Sequence, residues 1–273
     1  MRSVFAKRRA GYSRRALRRL GAEVCGDVFV EKSVTVWRGA RLFGPCVVTG
    51  KSVLCEGCAV LPFCHISDSF VGRGAVVRAS SLQGARVGEG STVGPYACLR
   101  AGAAVGKNCR VGDFVEIKNA TLGEGCKAAH LSYIGDAALG SRVNVGCGAV
   151  FANYDGAKKS RSVVGDGCFI GCNCNIVAPV SLGEGAYIAA GTTVTRDLES
   201  GDFCIGRCRE KIRPRALPAD APHFVLLYCT CNDFNAKALS ICLKQRYPNF
   251  KAVILDDSTK EEYRREIDAF AER

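Results

Sequence analysis

Apolar residues recur at every sixth position over long stretches of this chain. Val87, Val93, Leu99, Val105, Val111 and Ile117 keep the spacing without a break, with Gly88, Gly94, Gly106 and Gly112 directly behind their anchors. Val164, Ile170, Ile176, Leu182, Ile188 and Val194 repeat the pattern, with Gly165, Gly171 and Gly183. A period of six matches neither the 3.6-residue helix nor the two-residue alternation of a hairpin sheet. It matches a hexapeptide solenoid, in which short strands wind a triangular prism and three hexapeptides close one coil. No coil can bury its apolar edge alone, so coils must stack, and residues 24–200 supply roughly ten of them. Ahead of the strict runs, Val30, Val36, Leu42 and Val53 read as anchors of a less regular beginning.

The frame slips at two places. Ile117 to Leu122 is one residue short, and after Val145 and Phe151 the pattern is lost until Val164. The second gap, ANYDGAKKSRSV, is polar and basic and predicts a protruding loop. Interruptions of a solenoid map to loops on one face, often the binding face. Polar groups collect around this gap, in residues 126–159. They are His130, one of three histidines, with Tyr133, Asn144, the turn-forming Asn153-Tyr154-Asp155-Gly156 and the pair Lys158-Lys159.

Composition narrows the function classes. The net charge of +12 suits an anionic partner: nucleic acid, a phosphorylated metabolite or a nucleotide cofactor. No nucleic-acid-binding motif is present and no aromatics interleave the basic runs, so no nucleic-acid partner is expected. No stretch reaches the roughly 18 apolar residues of a membrane span. The N-terminus lacks the apolar core of a secretory signal. A cytoplasmic location is therefore expected, with the 17 cysteines as free thiols. Cys55-x-x-Cys58 with Cys64 has no second pair at zinc-ribbon spacing, so no metal is expected. Cys109, Cys168 and Cys174 each stand two residues before an anchor, where Ser91, Ala103 and Ala186 also occur. In a strand such residues face the same side, so these cysteines read as small apolar fillers of a narrow interior.

Four segments follow. Residues 1–23 form a basic connector, without an acid in 2–22 and with helix expected at Ala16–Leu20; its composition also loosely fits a transit peptide. Residues 24–208 form the solenoid. Residues 209–222, with Pro214, Pro218 and Pro222, form a linker. Residues 223–273 read as a small βαβα segment, with strands in PHFVLLYCTCND and PNFKAVILDD and helices in AKALSICLKQRY and KEEYRREIDAFAER.

The segment HLSYIGDAALGSRVNVGCG followed by NYDGAKK closely resembles the acetyltransferase domain of bifunctional N-acetylglucosamine-1-phosphate uridyltransferase/glucosamine-1-phosphate N-acetyltransferases. GPYACLRAGA, VGDFVEIKNATLG and VAPVSLGEGAYIAAGTTVTRDL carry the resemblance over residues 20–212 and across both frame slips. It implies an all-β fold, the left-handed parallel β-helix, whose hand is an exception to the right-handed crossover preference. It implies acetyl transfer from acetyl-CoA to the amine of glucosamine 1-phosphate, a step toward UDP-N-acetylglucosamine and cell-envelope sugars. His130 matches the family's general base, which takes a proton as the amine attacks the thioester. Arg100, Lys118 and Lys159 match the positions that hold the sugar phosphate. Tyr133 and Asn144 match sugar contacts. Asn153 and Tyr154 match positions near the acetyl group, and Cys172, Ala190 and Arg207 match the acetyl-CoA channel. The resemblance further implies a homotrimer with sites assembled from neighbouring subunits, no acyl-enzyme and no metal for acetyl transfer.

The chain also departs from that family. Nothing matches its Gly-rich, Arg-containing nucleotidyltransferase loop, so no uridylyl transfer is expected and a separate uridyltransferase would supply that step. LLYCTCNDFNAKALSICLKQRYPNFKAVILDDS resembles the opening strands of family 2 glycosyltransferases, where Asp256-Asp257 match carboxylates that meet the nucleotide. Without a later Asp-x-Asp motif or catalytic base, that segment is expected to be inactive alone. Three rival readings stand beside acetylation of glucosamine 1-phosphate: acylation of another amino sugar, a non-catalytic scaffold, and a glycosyltransferase fragment on an oligomerising stalk.

Overall fold

The computed structural model describes residues 10–207, 212, 224–231, 234–244 and 250–271. The chain divides into two compact units, Met1–Cys208 and Arg209–Arg273.

In the first unit, strands of two to four residues wind a parallel β-solenoid. Every third strand joins the same sheet. Among the described residues the first sheet has 11 strands, from Glu23–Cys25 to Phe203–Cys204, the second 10, from Val28–Val30 to Thr193–Val194, and the third nine, from Thr35–Val36 to Ser181–Leu182. About ten coils result, as the period requires. Each anchor stacks on the anchor one coil away: Val93 on Val111, Leu99 on Ile117, Ile170 on Ile188. All twelve residues of the two strict runs are buried in one continuous core.

The beginning is more regular than the sequence reading holds. Val30, Val36, Leu42, Val48, Leu54, Val60 and Ile66 are all buried at six-residue spacing. Leu54, not Val53, is the anchor that stacks on Val36, and Val53 is only half-buried. Two adjacent apolar residues made the choice ambiguous, and a one-residue shift in a strand exchanges core for surface. Shortened steps occur beyond the predicted slip at Ile117–Leu122, from Ile66 to Val71, Val77 to Leu82 and Leu82 to Val87. Corner turns absorb these changes of length.

Cys109, Cys168 and Cys174 are buried, but they do more than fill space. Their thiols donate to the Gly123, Gly183 and Ala189 carbonyls of the next coil at 3.0, 3.0 and 3.2 Å. Ser91 Oγ does the same to Gly106 at 2.7 Å. A small donor at this position satisfies a corner carbonyl that a hydrocarbon would leave unpaired. Burial pushes the thiols of Cys46 and Cys58 up to about 12, well away from thiolate reactivity.

A helix at Arg14–Arg19, capped by the Ser13 hydroxyl, inserts Leu17 into the first end of the core. The basic connector therefore contributes to the solenoid; its residues 1–9 lie outside the described residues. So does the proline-containing stretch 209–222, apart from Ile212. The second unit has the predicted βαβα order: Phe224–Thr230, Ala236–Leu243, Phe250–Asp256, Glu261–Ala271. Its two strands pair in parallel, and Phe234, Leu239 and Ile267 form its small core. No described helix is long and apolar enough to cross a membrane.

Candidate active site

The site residues spread along the second sheet, from its corner with the first sheet, where Asp113 and His130 stand, to its corner with the third, where the protruding loop departs after Val150–Ala152. Asp113 and His130 end neighbouring strands of the first sheet, Arg110–Asp113 and Lys127–His130, and stand in register. Phe114 and Leu131 follow them at φ 55° and 45°, turning the chain through the corner. His130 Nδ1 lies 2.8 Å from Asp113 Oδ1, and both side chains reach solvent. Asp113's own backbone N–H holds its carboxyl below the ordinary carboxylate range. The His130 ring and the Arg110 charge add to this against the cost of desolvation. An ionised carboxylate only accepts, so Nδ1 carries the proton of this bond and Nε2 of the neutral ring keeps its lone pair.

Around the corner, on the second sheet, stand the cations. Lys118 ends the strand Glu116–Lys118. The positive charge of Lys159, on the protruding loop, together with that of Arg100, holds the Lys118 ammonium below the usual lysine value. Three cations thus feel one another's charge in one patch, a natural receptor for a multivalent anion. Arg100 is not idle: its Nη1 binds Glu116 Oε1 at 2.8 Å, and Glu116 holds the guanidinium above its ordinary value. The loop itself is ordered by its own turn chemistry. Asp155 Oδ1 accepts from the Ala157 and Lys158 backbone amides at 2.8 Å, Tyr154 and Lys159 form an antiparallel bridge, and Tyr154 Oη donates to the Gly156 carbonyl at 2.5 Å.

At the neck of the loop lies a polar knot, with Asp136 and Asn153 buried and Asn119 at the surface. Asp136 Oδ1 accepts from Asn119 Nδ2 at 2.5 Å and Oδ2 from Asn153 Nδ2, and Asn153 Nδ2 is also 3.4 Å from Tyr133 Oη. Burial disfavours the Asp136 carboxylate, but the two amides and the Lys159 and Lys118 charges outweigh it and hold the carboxyl below its ordinary value. The Tyr133 ring lies where a Cβ on residue 135 would sit, so glycine at 135 leaves the ring its room.

The residues expected to line a donor channel stand along one edge of the prism. Going up the coils from His130, Cys147, Cys172 and Ala190 occupy equivalent corner positions, each two residues past a first-sheet anchor. Backbone bonds join the corner coil to coil, Asn173 to the Cys147 carbonyl and Gly191 to the Cys172 carbonyl, both at 2.8 Å. Arg207 Nη1 donates to the Ala190 carbonyl at 2.6 Å, which places its charge at the end of the edge.

The structure therefore places Tyr133, Arg100 and Lys118 along the second sheet, Asn153 and Lys159 on the loop that leaves its far end, and His130, Cys172, Ala190 and Arg207 along its corner with the first sheet. Asn144 stands apart. It lies on the first sheet, in register between Lys127 and Phe169. Sequence reasoning missed Asp113, Glu116, Asn119, Asp136 and Cys147. No local signal marks them; Asp113 and His130, and Glu116 and Tyr133, pair only through the length of one short coil, which the register supplies.

The repeat is matched by the family described as "Bacterial transferase hexapeptide (six repeats)" at residues 84–119 and 161–196. The solenoid is also similar in sequence to GlmU proteins. It is 40% identical over 186 residues to "Bifunctional protein GlmU" of Clostridium botulinum, covering 68% of this chain and 41% of that protein. It is 44% identical over 184 residues to the GlmU protein of an Exiguobacterium species, covering 67% and 41%. The chain thus spans about two fifths of the length of these relatives. A UDP-N-acetylglucosamine acyltransferase of Francisella novicida superposes with a TM-score of 0.46 at 16% identity, over 64% of this chain and 63% of that one.

Proposed function

We propose that the solenoid transfers an acetyl group from acetyl-CoA to the amine of glucosamine 1-phosphate. The observation that carries this reading is the Asp113–His130 pair at 2.8 Å, on the edge that ends at Arg207 and at the corner from which the strand leading to the Lys118 cation patch departs. The patch suits the sugar phosphate. The edge suits an extended donor, whose phosphates Arg207 would meet.

Nε2 of His130 takes a proton as the amine nitrogen attacks the thioester carbonyl. The tetrahedral intermediate collapses, the C–S bond breaks, and the imidazolium returns its proton to the departing thiolate. Asp113 keeps Nδ1 protonated and balances the transient positive ring. In this reading Tyr133 contacts the sugar and Asn153 lies near the acetyl group. Asn144, isolated on the first sheet, fits a trimer in which that sheet faces a neighbour's site; a sedimentation experiment giving a monomer at micromolar concentration would count against this.

The test is product formation followed by mass spectrometry, with acetyl-CoA and glucosamine 1-phosphate. Wild type is expected to make N-acetylglucosamine 1-phosphate, and His130→Ala to lose a factor of about 10²–10⁴ in rate. A folded wild-type protein that acetylates neither this sugar nor another amino sugar refutes the proposal. Acetylation of a different amino sugar refutes only the acceptor.

A further inference from the structure

Asp136 sits at the neck of the loop that carries Lys159. Its backbone N–H donates to the Lys118 carbonyl at 3.0 Å, and its own carbonyl accepts from Ser162, where the loop returns, at 3.1 Å. Its carboxylate receives Asn119, the residue after Lys118, and Asn153, where the loop departs. It holds a left-handed backbone, φ 46°, at 9% exposure. One buried residue thus ties both ends of the loop to the strand end that bears Lys118.

We propose that Asp136 is a positioning residue that locks the loop neck through Asn119 and Asn153 and so presents Lys159 beside Lys118 as a joint receptor for the acceptor's phosphate. This rests on the acetyl-transfer reading for the identity of the acceptor, but the receptor itself does not.

The chemistry requires a carboxylate. Two amide N–H groups converge on it from different segments, and only an acceptor-only side chain serves both. An asparagine would lose the charge that strengthens both bonds, and with its own NH₂ turned toward Asn153 it would set donor against donor on the buried side. The charge matters as well. Lys118 and Lys159 repel each other, and the buried anion beneath them offsets that repulsion before any phosphate arrives. Removing it makes the patch more positive yet less ordered. With the loop neck released, Lys159 is free to leave, and loss of geometry outweighs the gain in field.

Asp136→Asn, nearly isosteric, is the informative variant. The KM for glucosamine 1-phosphate is expected to rise about tenfold or more, because hydrogen bonds to charged groups are among the stronger ones. The KM for acetyl-CoA should stay within about twofold, since its edge is ordered by other bonds. Inorganic phosphate binding, followed by calorimetry, should weaken in parallel. An unchanged sugar-phosphate KM overturns the proposal, as does a rise of both KM values together with a loss of thermal stability. If wild type binds phosphate and Asp136→Asn does not, while neither acetylates, the positioning role stands and the acceptor assignment falls. Should Asp136→Asn fail to fold, Asn119→Ala removes one donor and keeps the charge. It must then raise the sugar-phosphate KM in the same selective way, and an unaltered value overturns the proposal.

Discussion

His130 and Asp113 show how much of a site can rest on one bond. The ionised Asp113 decides which ring nitrogen carries a proton, and so which one faces the substrate. Asp113→Asn keeps the shape but can present an N–H or a carbonyl to Nδ1, so the ring tautomer is no longer selected. Its kcat is expected to fall by about ten- to a hundredfold, part of the general-base factor, with both KM values little changed. Steady-state kinetics with each substrate varied checks this. The sequence displayed His130 as a candidate within its motif. Asp113 was not legible, because nothing local marks it; only the length of one coil places it beside the ring.

At the scale of elements, short strands and one loop divide the labour. Each strand contributes one anchor to the core and one side chain to the surface. Ile170→Ala, fully buried between Val145 and Ile188, should cost about 2–5 kcal/mol, seen as a lower denaturant midpoint. Val163→Ala, on the outer side of the strand Ser162–Val164, should change stability by less than about 0.5 kcal/mol. The loop has its own pH dependence. Asp136 is held below its ordinary value in the folded chain, so its stabilising contribution is complete above the ordinary carboxylate range. It is lost as pH falls through the depressed folded value. Thermal unfolding from about pH 5 to about pH 3 should therefore show a smaller acid-induced loss in Asp136→Asn than in wild type, the remainder coming from other depressed carboxylates such as Asp113 and Asp155. The sequence marked this loop by the break in the repeat and by Asn-Tyr-Asp-Gly. It did not reveal that Asn153 turns inward to Asp136, because that needs the neighbouring coil.

For the whole molecule, the two units have separate cores, and every candidate site residue lies in the first. A chain ending at Cys208 should fold and acetylate at the rate of the full chain, measured by the same mass-spectrometric assay. Loss of activity on that truncation would show that residues 209–273 serve the site. What the sequence determined by itself is the architecture: a six-residue period admits one way of burying its anchors, and the βαβα order of the second unit follows from its local patterns. Its weak point was Val53 against Leu54, where two apolar neighbours left the face undecided. Only the tertiary structure decided the contacts among coils. Stacking at one spacing along the axis brings residues a full coil apart in sequence to hydrogen-bonding distance. Thus Asp113 meets His130, Glu116 captures Arg100, and Asp136 gathers Asn119 and Asn153, because a solenoid's polar partners lie one turn away rather than next along the chain.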